Sequence, residues 1–360
     1  MNDPDACGHH ALMIHPWLAP VFAALAMASC ARPASAAPAS RPTGDRPPAI
    51  RVAWRSQSGT CMEIPEWEVH ELDRDLYVLR QSPCASYEKP FVFLVFGDDR
   101  ALLLDTGAGK DNHLAATVAR LARQWLERTG RRSIALIVAH THEHGDHTAG
   151  DVDLAALRLA ELPVEVTAVE LEATKRRFGI ARWPEDVGQI DLGGRILDAI
   201  PLPGHSKLGI ALYDRRTATL FSGDTLYPGR LYVFDLPAFE ASIARLVRFT
   251  ADKPVAQVLG NHVEQTATPF RDYPIGAIFQ PDEHELALSR GSLLELQVAL
   301  AAMHRAPGRV ALRDFTIWPA GPGFTRPEEI ELAMRCIEDQ EKAKWSRSPH
   351  LPAACDAGTP

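Results

Sequence analysis

The chain has 360 residues, 46% of them hydrophobic and 23% charged, an ordinary globular balance with ample length for a sizeable core. Unpatterned glycine (24) and proline (28) exclude a collagen, and six cysteines are too few for a disulfide-built scaffold. A formal net charge of −8 argues against a protein that grips nucleic-acid phosphates, and leaves fourteen histidines as the unusual count.

In chain order, the apolar stretch Pro16 to Ser29 comes first. It is too short for a bilayer-spanning helix, which needs ~20 residues, and matches the apolar region of a secretory signal. Ala34-Ser35-Ala36 supplies an A-x-A cleavage pattern, so residues 1–36 are expected to direct export and the mature chain to be periplasmic or secreted. Met27-Ala28-Ser29-Cys30 resembles a lipobox, which would place a lipid anchor on Cys30. The alternative is an apolar N-terminal extension. Residues 37–48 are Pro/Ala-rich and read as a linker, residues 49–320 as the main domain, and residues 321–360 as a C-terminal helix (Pro327 to Lys344) with a loose tail. No transmembrane span is expected in the mature chain. Beyond residue 36 four cysteines remain, for which Cys61–Cys84 and Cys336–Cys355 are the local pairings among three possible sets.

The middle of the chain alternates β-rich runs with helical patterns. Tyr77–Leu79, Phe91–Phe96 and Ala101–Leu104 read as strands, the last two joined as a hairpin by Gly97-Asp98-Asp99. Asp111 to Arg128 has helical periodicity, Ile134–Val138 is a buried strand, and Val164–Val169 a strand before a helix ending near Phe178. Strands follow at Ile190–Leu192, Ile196–Leu202, Ile210–Tyr213 and Thr219–Phe221. A helix is expected over Phe239–Phe249, a strand over Val255–Leu259, and a long amphipathic helix over His284–Met303. Two β-rich halves with flanking helices imply two sheets face to face with helices outside.

The chemistry concentrates in His140-Thr141-His142-Glu143-His144-Gly145-Asp146-His147. In an extended turn, side chains two apart project to one side, so His142 and His144 can grip one cation while Asp146 and His147 turn towards a second point. Imidazole and carboxylate suit a borderline divalent ion such as zinc. Three later strand ends also lead into ligand-type residues: Pro203-Gly204-His205-Ser206, Ser222-Gly223-Asp224-Thr225 and Gly260-Asn261-His262.

With Leu104-Asp105-Thr106-Gly107, these segments resemble the metallo-β-lactamase-fold superfamily over roughly residues 75–265. The resemblance implies an α+β fold, a four-layer αββα sandwich of two face-to-face mixed sheets with helices outside. It implies two zinc ions per chain, with iron or manganese as alternatives. His142, His144 and His205 would hold the first, Asp146, His147 and His262 the second, and Asp224 would bridge them. Asp105 would orient the ligand loop without binding metal. Asp146 would be the catalytic residue, orienting a nucleophile and carrying its proton.

An aspartate at 224 looks like the glyoxalase II-like thioesterase and lactonase branches, since true metallo-β-lactamases have Cys or Ser there. The expected activity is hydrolysis of a small-molecule ester, thioester or lactone. β-Lactam hydrolysis and an exported metal-binding module without turnover are the alternatives. Ser206-Lys207-Leu208 departs from the usual T-P-G after the P-G-H histidine. Tyr227 is a candidate oxyanion donor or a packing residue, Lys207 a candidate substrate contact or a solvated lysine, and His140 a structural histidine. The Pro-punctuated stretch Glu264 to Glu285 is either a cleft wall or a plain connector.

Overall fold

The computed structural model describes Trp54, Cys61, residues 63–304, 306–321, Phe324, residues 326–344 and Cys355, all within one compact unit, Gly44–Pro360. The expected export segment, the lipid site at Cys30, the linker 37–48 and most of the tail lie outside the described residues.

The first sheet contains β1 (Trp67–Asp73), β2 (Leu76–Gln81), β3 (Phe91–Phe96), β4 (Arg100–Leu104), β5 (Ala135–Ala139) and β6 (Val164–Val166), in that spatial order. Its first four strands are antiparallel; β4, β5 and β6 run parallel. Between them lie α1 (Leu114–Thr129), the one-turn α2 (Gly145–Thr148) and α3 (Asp151–Ala156), with α4 (Leu171–Phe178) following β6. The second sheet is built from β7 (Gly188–Asp191), β8 (Ile196–Pro201), β9 (Ile210–Asp214) and β10 (Thr219–Gly223). After β11 (Arg230–Val233) and α5 (Leu236–Phe249), β12 (Gln257–Gly260) and β13 (Ala287–Leu288) complete it, in the order β13-β12-β10-β9-β8-β7. Then come α6 (Arg290–Ala302), β14 (Val310–Ala311), β15 (Thr316–Pro319) and α7 (Pro327–Ala343).

The continuous apolar run of β3 follows from its place in the stack. Phe91, Phe93 and Val95 point into the core shared with the second sheet, together with Phe221, Leu212 and Leu259. Val92, Leu94 and Phe96 point the other way, against α1 residues Leu114, Val118 and Trp125. On the far side Leu220, Val258 and Ala211 meet α5 and α6 through Phe239, Leu246, Leu293 and Leu296. Three apolar layers therefore separate helix, sheet, sheet and helix, which is the expected αββα sandwich. A strand buried on both faces has no polar side to alternate with.

Two expectations need correction. The helix expected over His284–Met303 begins at Arg290, because Leu288 pairs with Val258 as a short strand and the Ser289 side chain caps the helix. A third, three-stranded sheet, β11-β15-β14, was not expected. Its strands are too short to carry a readable alternation.

Both local cysteine pairings are present as disulfides, Cys61–Cys84 and Cys336–Cys355. The loop after β2 is further tied to the far end of the described chain, since Lys344 Nζ donates to the Cys84 carbonyl oxygen at 3.1 Å. Helix α7 packs on the segment before β13. The Ile278 N–H donates to Gln340 Oε1 at 2.5 Å, and Gln340 Nε2 donates to the Gly276 carbonyl at 2.9 Å.

Candidate metal centre

The C-terminal ends of β4, β5, β8, β10 and β12 meet at one edge of the sandwich, the usual place for a site in such sheets. β5 runs into the histidine loop. His144 keeps an extended backbone (φ −68°, ψ 154°), and the single turn α2 then swings Asp146 and His147 to a different side.

The turn after β8 depends on Gly204. Its φ of 141° disfavours any side chain, and a Cβ there would lie 2.5 Å from the Phe239 Cα. The departure at Ser206 leaves this turn intact. Gly204 N–H donates to the Ser206 carbonyl at 3.0 Å, and the Ser206 hydroxyl donates to the Glu143 carboxylate.

The seven expected ligands form two groups: His142, His144 and His205, and Asp146, His147, Asp224 and His262. In the first, His144 Nδ1 lies 3.0 Å from His142 Nε2 and 3.1 Å from His205 Nε2. In the second, Asp146 Oδ2 lies 3.2 Å from both His147 Nε2 and His262 Nε2. Asp224 belongs to both. Its Oδ2 is 3.9 and 3.6 Å from the Nε2 atoms of His142 and His205, and its Oδ1 is 3.6 and 3.4 Å from those of His147 and His262.

These separations fit a cation at each point, since tetrahedral ligands at ~2.0–2.1 Å from zinc lie about 3.3 Å apart. A second observation agrees. His147 Nε2 and Asp224 Oδ1 are buried and make no hydrogen bond, an expense a cation would remove.

Each ring is aimed by its other nitrogen. His205 Nδ1 donates to the Tyr232 carbonyl at 2.8 Å, His262 Nδ1 to the Glu88 carbonyl at 3.0 Å, and His147 Nδ1 to Asp105 Oδ2 at 3.1 Å. This leaves the Nε2 lone pairs facing the centre. Asp105 is fully buried and takes a left-handed backbone (φ 68°). It accepts from the Thr141 N–H at 2.7 Å, the Thr141 hydroxyl at 2.8 Å and Asn261 Nδ2 at 2.7 Å.

Without a cation the charges of the second group compensate one another. Burial alone would lower the His147 pKa, but the Asp146, Asp224 and Asp105 carboxylates together push it well above the usual imidazole value. His262 is raised in the same way, by Asp224 and Asp146 against burial. Burial would raise the Asp146 and Asp224 carboxyls, yet the two imidazoles hold both well below the usual range. In the first group burial keeps His142 and His205 neutral, the form that binds metal.

Above the ligands lies a cleft of about 330 Å³, lined by Tyr87, Glu88, Tyr232, Phe234, Glu264 and Ile275 among others. Glu264, Pro274, Ile275, Gly276, Ala277 and Gln280 all line it, so the stretch Glu264 to Glu285 supplies a wall.

Two suggested contacts fail. Tyr227 is buried, and its hydroxyl donates to the Arg230 carbonyl oxygen with Glu264 Oε2 3.2 Å away, so its proton is not free for an oxyanion. Lys207 is exposed and does not line the cleft. His140 is structural, with Nε2 2.9 Å from Asp151 Oδ1. Sequence reasoning missed Thr141 and Asn261, which lie beside ligands and support Asp105. It also missed the Tyr232 and Glu88 carbonyls, because a backbone acceptor has no residue-type signature.

The description "Metallo-beta-lactamase superfamily" matches residues 88–298, more than half of the chain. An acyl-coenzyme A thioesterase MBLAC2 from Homo sapiens is 28% identical over 198 residues, covering 47% of this chain and 70% of that protein. A hydroxyacylglutathione hydrolase from Aeromonas hydrophila is 25% identical over 270 residues, covering 74% of this chain and 88% of that protein. Among solved structures, a metallo-beta-lactamase from Pontibacter korlensis aligns at 17% identity with a TM-score of 0.43, covering 65% of this chain and 99% of that one. The chain belongs to the metallo-beta-lactamase superfamily, whose members include these hydrolases.

Proposed function

From that membership we propose that the chain is a metal-dependent hydrolase that cleaves a small thioester, ester or lactone at a centre holding two zinc ions. The observation that carries the reading is Asp224, which offers one carboxylate oxygen to each of two clustered ligand groups. Its relatives named as a thioesterase and a hydroxyacylglutathione hydrolase support the thioester class.

When bound, such ions supply Lewis acidity, which acidifies water and polarises a carbonyl. The protein's own part is positional. Asp105, Tyr232 and Glu88 fix three imidazoles so that their Nε2 atoms face inward. Asp146 turns one oxygen to His147 and His262; its other oxygen can accept a proton from attacking water and return it to the leaving group. Burial of the ligands limits competing solvent.

Export to an oxidising compartment is part of this proposal. The two disulfides support it, since such bonds persist where thiols are not kept reduced.

The test is metal analysis of full-length protein purified without chelators, followed by a panel of chromogenic thioesters, esters and lactones with and without chelator. About two zinc ions per chain and chelator-sensitive turnover are expected. Less than one ion, unchanged by added zinc, would end the two-metal reading. Turnover of nitrocefin alone would move the assignment to β-lactam hydrolysis. Metal binding with no turnover of any member would favour a binding module.

A further inference from the structure

The cleft is lined by candidate metal ligands and, from the 82–90 loop and the 274–280 segment, by Tyr87, Glu88, Ile275 and Ala277. Two basic residues line it, and neither is free to receive an anion. Arg230 is buried and gives Nη1 to the Tyr273 carbonyl at 2.6 Å, Nη2 to Glu264 Oε1 at 3.3 Å and Nε to the Tyr232 hydroxyl at 3.2 Å. Lys89 is buried and donates to the Tyr87 and Ala277 carbonyls at 2.6 and 2.8 Å.

The carboxylates are not balanced to match. Glu264 is paired with Arg230. Glu88 is met by the Ser86 hydroxyl at 3.4 Å and, among the described residues, by no lysine or arginine; burial and the Asp146 carboxylate push its carboxyl up, while the His262 and His147 imidazoles and the Ser86 hydroxyl draw it down. Beside it stands Tyr87, whose phenol is pushed up to about 12 by burial and by the Glu88, Asp146 and Glu264 carboxylates. Tyr232 and Phe234 also line the cleft, the latter 55% exposed although its ring is 6.3 Å from His144 and 5.9 Å from His205. A carboxyl group without a lysine or arginine partner, in a cleft also lined by aromatic side chains, suits an ammonium group.

We propose that the leaving group of the substrate is cationic, an alkylammonium thiol or alcohol, and that Glu88 with the aromatic rim is its recognition site. This rests on the hydrolase reading above. In the thioester case water oxygen bonds to the acyl carbon and the C–S bond breaks with its electron pair going to sulfur. One water proton ends on the sulfur and the products are a carboxylic acid and an aminothiol. A leaving group bearing carboxylates or phosphates meets Glu88 and no available cation.

Three thioesters with one acyl group test the charge alone: butyrylthiocholine, S-butyryl-N-acetylcysteamine and S-butyryl-3-mercaptopropionate. With zinc-loaded full-length protein, kcat/KM for the cationic ester is expected to exceed that for the anionic one by about tenfold or more. Glu88→Gln should cut the ratio to about threefold or less, and Glu88→Lys should invert it. A calorimetric titration with choline, read without turnover, should show binding that weakens in Glu88→Gln.

Turnover of all three with no charge preference, or an unchanged ratio in Glu88→Gln, overturns the ammonium site and leaves the hydrolase standing. Choline binding that depends on Glu88, with no turnover of any ester in either panel, does the reverse. No turnover and no choline binding sinks both.

Discussion

Asn261 donates through Nδ2 to Asp105 Oδ2 at 2.7 Å and to the Phe91 carbonyl at 2.7 Å, joining residues from the two halves of the sandwich. Asn261 immediately precedes the candidate ligand His262, and Asp105 accepts from the candidate ligand His147. The contact therefore sets the position of one half's ligands against the other's.

Asn261→Ala should loosen the second ligand group without removing a ligand. Zinc affinity, read by chelator competition, is expected to fall about 10–100-fold, the usual effect of losing a group that aims a ligand. Unchanged affinity would mean that Asp105 is held well enough by Thr141.

Gly204→Ala tests the turn that presents His205. The new methyl would meet Phe239 backbone at 2.5 Å, which a side-chain rotation cannot relieve. A stability loss of about 2–4 kcal/mol is expected by urea unfolding, together with loss of one bound metal. A variant with wild-type unfolding would refute the close approach.

Lys89 gives a pH dependence with a definite sign. Burial, with the Arg80 guanidinium adding to it, pushes its pKa down from 10.5 to about 7, while Glu283 and Glu264 oppose this and Arg230 reinforces it. The unfolded chain keeps the proton up to its ordinary pKa and the folded protein releases it near 7. Between these values the unfolded state binds more protons, so stability rises with pH. Below about 7 the cost of burying the charge is present in full. Relative to Lys89→Met, the wild-type protein should gain at most about 1.4 kcal/mol per pH unit from pH 7 towards 10. Parallel pH profiles for the two proteins would rule this out.

Gln340→Ala removes two of the contacts by which α7 steadies Gly276 and Ile278. Two backbone groups lose their partner, so a stability loss of about 1–3 kcal/mol is expected. The wall lies beyond the ligands, so KM should rise several-fold while kcat changes by less than about twofold. A fall confined to kcat would place the effect at the metal centre instead.

The candidate ligands were legible because each is a residue with metal chemistry placed at the end of an apolar strand run, and the structure brings all seven into two groups. The sandwich was legible for a related reason: β3 and β5 are apolar on both faces. What could not be read depends on partners without a chemical label. The carbonyls of Tyr232 and Glu88 orient two ligands, yet any residue there has a carbonyl. The choice between donor and packing residue at Tyr227 stayed open in the sequence because the Arg230 carbonyl that takes its proton belongs to a strand, β11, that gave no signal. The early start assigned to α6 came from helical periodicity running back through Ala287 and Leu288, which sheet pairing overrides.

Cys84 is gripped from both directions along the polypeptide, by Cys61 through sulfur and by Lys344 through its carbonyl oxygen. Three residues further on stands Tyr87, which lines the cleft beside the candidate metal centre. Removing the segment that carries Cys61, or cutting before Lys344, would thus release the loop that carries Tyr87, and a shortened form that folds well can still differ in what the cleft accepts.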